Sequence, residues 1–282
     1  MKKNVLKKLF CIVLSVAIFA VCIPFTAFAT GSSEVNFVIF SDLHYFAKSS
    51  VVNPTEFEKF CKLNNSTTYL APSILDVALA TYKVQALRGE LDFILLPGDL
   101  TRNAEVDAHQ ELAQKLRQFE IETGVPIYVI NGNHDINNDR AASYDGENFV
   151  EAPSCTPEQF RQIYAEFGYN EALSTYKPAA GNYEGYLSYT ADLPGNYRLI
   201  AIDSQMYSAD NTDAGLDEQE TAGQISATLE AWVLEECAKA KAEGKTIVGL
   251  IHHNVIPHFD TEVDLFDNFV LRDWERLADN FA

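Results

Sequence analysis

The chain has 282 residues, 47% of them hydrophobic. A chain of that size can bury roughly three quarters of its unfolded surface in one large domain. Asp and Glu outnumber Lys and Arg by 40 to 21, a formal charge of −19. That balance disfavours unaided binding to long nucleic acid or to an anionic membrane surface. The chain holds no internal repeat and no low-complexity tract, which excludes a solenoid array or a disordered linker protein.

Lys2, Lys3, Lys7 and Lys8 precede an apolar run from Leu9 to Phe25, and Ala27-Phe28-Ala29 supplies the small residues of a cleavage site. Residues 1–29 therefore read as a signal peptide, with the mature chain starting near Thr30 and exported to the cell envelope or beyond. A retained membrane anchor is the alternative, but the run falls slightly short of the ~20 residues a span needs. Loss of the four lysines takes the formal charge from −19 to −23, and Cys11 and Cys22 leave with them. Cys61, Cys155 and Cys237 remain; an odd number cannot pair completely, and a Cys61–Cys155 bridge stays open.

Val35 to Phe40 is apolar and β-rich, a buried strand that runs into Ser41-Asp42. Residues 47–72 are polar, with Pro54, Asn64, Asn65 and Pro72, and predict an excursion with one short helix that sits over the first site residues. Ser73 is the expected N-cap of a helix over Ile74 to Arg88, with Leu75, Leu79 and Tyr82 on one stripe and Gly89 as its stop. Leu91 to Leu96 is a second buried strand, ended by Pro97-Gly98. A helix over Ala104 to Thr123 closes at Gly124, and Pro126 to Ile130 is a third strand. Such alternation argues for parallel pairing through right-handed crossovers, with the carboxyl-end loops opening on one edge.

Further on, Thr156 caps a predicted helix through Phe167. Tyr186 to Thr190 and Tyr197 to Asp203 predict an antiparallel hairpin around Leu193-Pro194-Gly195-Asn196. A long helix from Asp217 to Ala242 stops at Gly244, Thr246 to Ile251 reads as an interior strand, and Asp264 to Ala282 as a helical tail.

Chemistry-bearing residues follow these strands. Asp42-Leu43-His44 would put a carboxylate and an imidazole on one side of an extended segment. Asp99 follows Gly98, whose lack of a side chain lets backbone approach an ion. In Gly132-Asn133-His134-Asp135, Asn133 offers a neutral amide oxygen as a ligand. His134 beside it is free to meet an ester, with Asp135 expected to fix its tautomer. His252-His253 follows the last strand; His252 reads as a ligand and His253 as a core or capping histidine. Hard oxygen and borderline nitrogen donors gathered at strand ends are what a pair of metal ions needs to activate water against a phosphate ester.

In this order the blocks Asp-x-His, Gly-Asp, Gly-Asn-His-Asp and His resemble the calcineurin-like metallophosphoesterases over residues 35–254. The resemblance implies an α/β fold of mixed, largely parallel sheets flanked by helices, a four-layer αββα sandwich. It implies Asp42 and His44 on one metal ion, Asp99 bridging, Asn133 and His252 on the second, and His134, steadied by Asp135, at the leaving oxygen. The family's final Gly-His-x-His has no counterpart after His252; His258 and His109 lack the glycine and the spacing. A domain missing its C-terminal part, 30–282 of a longer parent, is the expectation, with a genuine loss of the ligands left open.

The implied function is hydrolysis of phosphomonoesters or phosphodiesters outside the cytoplasm by a hydroxide that two metal ions, of iron, zinc or manganese, activate. The partner is a small phosphate ester rather than a long nucleic acid. Two rivals stand beside it: a secreted non-catalytic binding module on the same fold, and an extracellular nuclease or nucleotidase.

Overall fold

The computed structural model describes residues 34–206 and 223–281. The expected signal peptide lies outside the described residues, as do positions 217–222 of the expected long helix. In chain order the strands are β1 (Phe37–Ile39), β2 (Val51–Val52), β3 (Phe93–Pro97), β4 (Ile127–Ile130), β5 (Ala142–Asp145), β6 (Asn148–Glu151), β7 (Ser174–Thr175), β8 (Tyr189–Leu193), β9 (Tyr197–Ile202) and β10 (Thr246–Ile251). The α-helices are α1 (Pro54–Leu63), α2 (Ala71–Leu87), α3 (Val106–Thr123), α4 (Pro157–Ile163), α5 (Ala227–Ala242), α6 (Glu262–Leu265) and α7 (Trp274–Phe281).

Two sheets carry the fold. One has the order β1-β3-β4 and is wholly parallel; the other has the order β10-β9-β8-β7, with β10 parallel to β9 and the rest antiparallel. A small third sheet, β2-β5-β6, sits beside the excursion. Apolar side chains of both main sheets join one buried cluster, with Leu95, Ile127 and Val129 from the first and Tyr189, Leu199, Ala201 and Leu250 from the second. The Tyr189 hydroxyl donates across it to the Val129 carbonyl at 3.0 Å. Leu75 and Leu79 of α2 and Leu112 and Leu116 of α3 cover the first sheet within the same cluster, while Leu229 and Val233 of α5 cover Ile200 and Ile202 of β9. The result is the four-layer α/β sandwich, with helices outside two facing sheets.

Local signals explain most boundaries. Gly124 ends α3 at φ 71°, the left-handed geometry that glycine adopts without strain. Thr156 and Gln159 form a reciprocal capping box at the start of α4, satisfying two amides that lack helical partners. That helix stops at Ile163, not Phe167, and passes into a π-type turn in which Gly168 has φ 105°. A Cβ there would come within 2.8 Å of the Tyr189 ring.

Other expectations need correction. Ser73 is not the N-cap of α2: a 3₁₀ turn over Thr68–Leu70 runs straight into the helix, and the Ser73 hydroxyl donates back to the Leu70 carbonyl at 2.9 Å. The long helix begins at Ala227, where the Ser226 hydroxyl accepts from the Leu229 amide. The tail is broken: α6 ends at Leu265, a 3₁₀ turn over Asp267–Phe269 follows, and Val270, which bridges to Asn254, stands between that turn and α7. Among the described strands β1 and β10 are both at sheet edges rather than interior, and Phe37 and Ile39 are 44% and 56% exposed. Cys61, Cys155 and Cys237 are free thiols, so the Cys61–Cys155 bridge is not made. No helix among the described residues is long and apolar enough to cross a membrane.

Candidate metal centre

Because β1, β3 and β4 run parallel, their carboxyl ends deliver Asp42, Asp99 and Asn133 to one edge. Beyond β1 the chain stays zipped to the segment after β3. Asp42 N donates to the Gly98 carbonyl at 3.3 Å, His44 N to Asp99 O at 3.0 Å, and Tyr45 N to Leu100 O at 2.9 Å. Asp42, His44 and Asp99 all have positive φ, of 53°, 41° and 48°. The Asp-x-His segment is therefore not the extended one expected from its sequence; Asp42 and His44, like Asp99, are turned into the left-handed region, a concentration of backbone strain typical of ligand sites. The two glycines of the motifs are needed for close approach. A Cβ at Gly98 would lie 2.6 Å from Gly132 N, and one at Gly132 would lie 2.4 Å from Asp99 N.

Asp99 is the hub. Only 4% exposed, its Oδ1 accepts from the His134 amide at 2.9 Å and lies 3.4 Å from His252 Nε2, while its Oδ2 lies 3.7 Å from His44 Nε2. Donor atoms within 4.8 Å of one another sort into two groups that share Asp99: His44, Asp99 and His134, and Asp42, Asp99 and His252. That sharing is what a bridging carboxylate requires. Within these groups Asp42 lies near His252 and His44 near His134. Burial, opposed by attraction to Asp99, holds His44 below the ordinary imidazole range, which favours the neutral, metal-binding ring.

Asn133 joins through its Oδ1, 3.0 Å from His252 Nε2. The other nitrogen of His252, Nδ1, faces the Pro97 carbonyl at 3.0 Å, which accepts only. With the proton on Nδ1, Nε2 turns a lone pair toward Asn133 Oδ1 and Asp99 Oδ1. Three acceptors then converge with no proton between them, an arrangement that a cation would complete. Two carboxylates, an amide oxygen and imidazoles suit iron, zinc or manganese alike. The residues present fit a metal centre of this kind.

Asp135 has a different task from the one expected. It is fully buried, and its carboxylate accepts from the amides of Leu100 (3.1 Å), Thr101 (2.9 Å) and Gly132 (2.8 Å). It staples the loop after β3 to the loop after β4 and makes no hydrogen bond to His134. Burial and the neighbouring Asp99 push it up to about 7, against those three amides. The His134 tautomer is set instead by the Arg102 carbonyl, 2.6 Å from Nδ1, with Asn103 Oδ1 at 3.2 Å. Both are acceptors, so Nδ1 carries the proton and Nε2 is left for chemistry. His134 packs edge-on against His44, ring centres 4.9 Å apart.

Behind Asp135 stands a residue that the sequence offered only as an unsuitable metal ligand. His109 on α3 is completely buried; its Nε2 meets the Asp135 carbonyl at 2.9 Å and its Nδ1 the Tyr164 hydroxyl at 2.9 Å. Burial lowers it to about 3, so it is a neutral strut with Nε2 donating. His253 likewise belongs to the interior, against the Ser204 hydroxyl at 2.7 Å.

In front of the donors opens a cavity of about 720 Å³ lined by Asp42, His44, His134, the excursion residues Asn65 to Thr68, and α2. Two cations, Arg102 and Arg140, line it. Arg102 is held by a 3.0 Å hydrogen bond to the Tyr144 hydroxyl and lies over the Phe46 and Tyr144 rings. Arg102 stands three residues after Asp99 and was open to notice; Arg140 carries no sequence signal.

Among curated proteins no relative matches the chain. Among solved structures, a dimetal phosphatase from Danio rerio is similar, at 13% identity over 88% of this chain and 77% of that one, with a TM-score of 0.47. The sequence model of the calcineurin-like phosphoesterases matches residues 35–280. With that match over nearly all of the described residues, the chain belongs to the calcineurin-like phosphoesterase family, whose chemistry is metal-dependent hydrolysis of phosphoesters.

Proposed function

We propose that this chain hydrolyses a small phosphomonoester or phosphodiester, with two metal ions held by Asp42, His44, Asp99, Asn133 and His252. The observation that carries the reading is the convergence on Asp99 of two donor groups, each within 4.8 Å. When bound, such a pair of ions supplies water activation near neutral pH and neutralises charge on the phosphate. The protein's own residues do the rest. The Arg102 carbonyl holds the His134 Nδ1 proton, so a second proton taken up at Nε2 is the one that can be donated to a phosphate oxygen or passed to the leaving oxygen. Asp135 and His109 keep the loops in register, and Arg102 and Arg140 attract an anion in an otherwise acidic protein.

The test is metal content and turnover of an aryl phosphate by the metal-supplemented chain and by Asp99→Ala and Asn133→Ala. The expected outcome is about two ions per chain, fewer in Asp99→Ala, and turnover reduced at least ~100-fold in both variants. Undiminished turnover in both would overturn the assignment, and stoichiometric metal with no turnover in the parent chain would support the non-catalytic binding module.

The reading includes export. It is supported by the lysines, the apolar run and Ala27-Phe28-Ala29. N-terminal sequencing of the exported protein should begin near Thr30.

A further inference from the structure

We infer that the leaving group of the substrate carries an aromatic ring that docks on one face of α2; this rests on the phosphoesterase reading. Ala71, Ile74, Leu75 and Ala78 are spaced i, i+3, i+4 and i+7, which puts them on one helix face. All four are apolar, and all four line the cavity that Asp42, His44 and His134 line from the other side. Ile74 is 61% exposed. A single exposed isoleucine is unremarkable; here it belongs to an apolar strip continuous with the metal-ligand cluster.

The volume and chemistry of the cavity select among occupants. About 720 Å³ is the size of a cleft that holds a whole small molecule. A polymer would need a track of cations, and the lining offers Arg102 and Arg140, enough for one phosphate. With the phosphate at the Asp99 cluster, the rest of a small ester reaches the α2 face, where a flat apolar body buries one side. Asn65 to Thr68, also in the lining, have uncharged hydroxyl and amide groups that can serve polar substituents of the ring.

The experiment compares two inert phosphonates on the metal-supplemented chain by calorimetry: benzylphosphonate, in which a methylene replaces the ester oxygen, and methylphosphonate. The expected result is about tenfold tighter binding of the benzyl compound, from burial of one ring face. The preference should collapse toward equality in Ile74→Asp and in Ala78→Asp, and survive in Val77→Asp, whose side chain is 68% exposed on α2 and does not line the cavity. Thermal melting of each variant checks that it is folded. Equal affinities in the parent chain, a preference that survives both cavity variants, or no binding of either compound overturns the inference. If methylphosphonate binds in a manner lost in Asp99→Ala but the ring adds nothing, only this inference falls. If neither compound depends on Asp99, the phosphoesterase reading falls with it.

Discussion

Gly132 shows how little room the site leaves. A methyl group there would sit within 2.4 Å of the Asp99 amide nitrogen and collide with its carboxylate. Asp99 cannot yield, since its backbone accepts from His44 and its Oδ1 from the His134 amide. Gly132→Ala should therefore cost about 1–3 kcal/mol of stability, the range for forced overpacking. It should also weaken metal retention, read from the urea midpoint and from metal content after dialysis. A variant as stable and as metal-rich as the parent would show that the loops separate without cost. The site's outline was legible because Asp42, His44, Asp99, Asn133, His134 and His252 each follow an apolar run, and strand ends converge. The supporting contacts were not legible. Asp135 meets the Leu100 and Thr101 amides, and His109 meets Tyr164, across 34 to 55 residues of sequence, where no local pattern points from one partner to the other.

At the scale of elements, α3 and β4 meet through Glu120. Its Oε1 accepts from the Ile127 amide at 2.7 Å. Burial first, then repulsion from Glu171 and Glu166, raises its carboxyl from 4.5 to about 7. The folded state thus holds this proton more tightly than the unfolded chain, so stability from this group is fully present below pH 4.5 and is lost as the pH rises through about 7. Glu120→Gln keeps an acceptor for Ile127 and cannot ionise. Its stability relative to the parent should rise between pH 5 and pH 8, by about 1 kcal/mol once solvent screening is allowed for. Denaturant midpoints at the two pH values measure this, and a difference that does not change with pH would show that Glu120 titrates normally. The strand–helix alternation around α3 was readable because each element is long enough to display its period and is punctuated by Gly or Pro. Thr156 was readable as a cap because its partner Gln159 lies three residues away. The edge positions of β1 and β10 were not, since hydrophobicity marks a strand and says nothing of how many neighbours it has.

For the whole molecule, charge decides which phosphates can approach. A formal charge of −19 repels anions at distances beyond the first few ångströms, whereas Arg102 and Arg140 attract them inside the cavity. Salt screens the first effect more than the second, because the Debye length falls from ~30 Å at 10 mM to ~8 Å at 150 mM ionic strength while the cavity is only ångströms deep. For a small aryl phosphate, kcat/KM should stay level or rise by up to about threefold over that interval. A nuclease that tracks six or more phosphates would behave oppositely and lose ~10³ or more in affinity between 50 and 200 mM salt. The sign of the slope therefore separates the two enzymes without knowledge of the natural substrate. A steep fall with a single-stranded oligonucleotide, paired with efficient cleavage at low salt, would mean that residues away from the cavity gather the polymer despite the net charge. A flat or rising slope leaves the cavity as the place where affinity is generated, because an acidic surface that repels a polyanion everywhere else can admit only a ligand small enough to feel Arg102 and the Asp99 cluster at once.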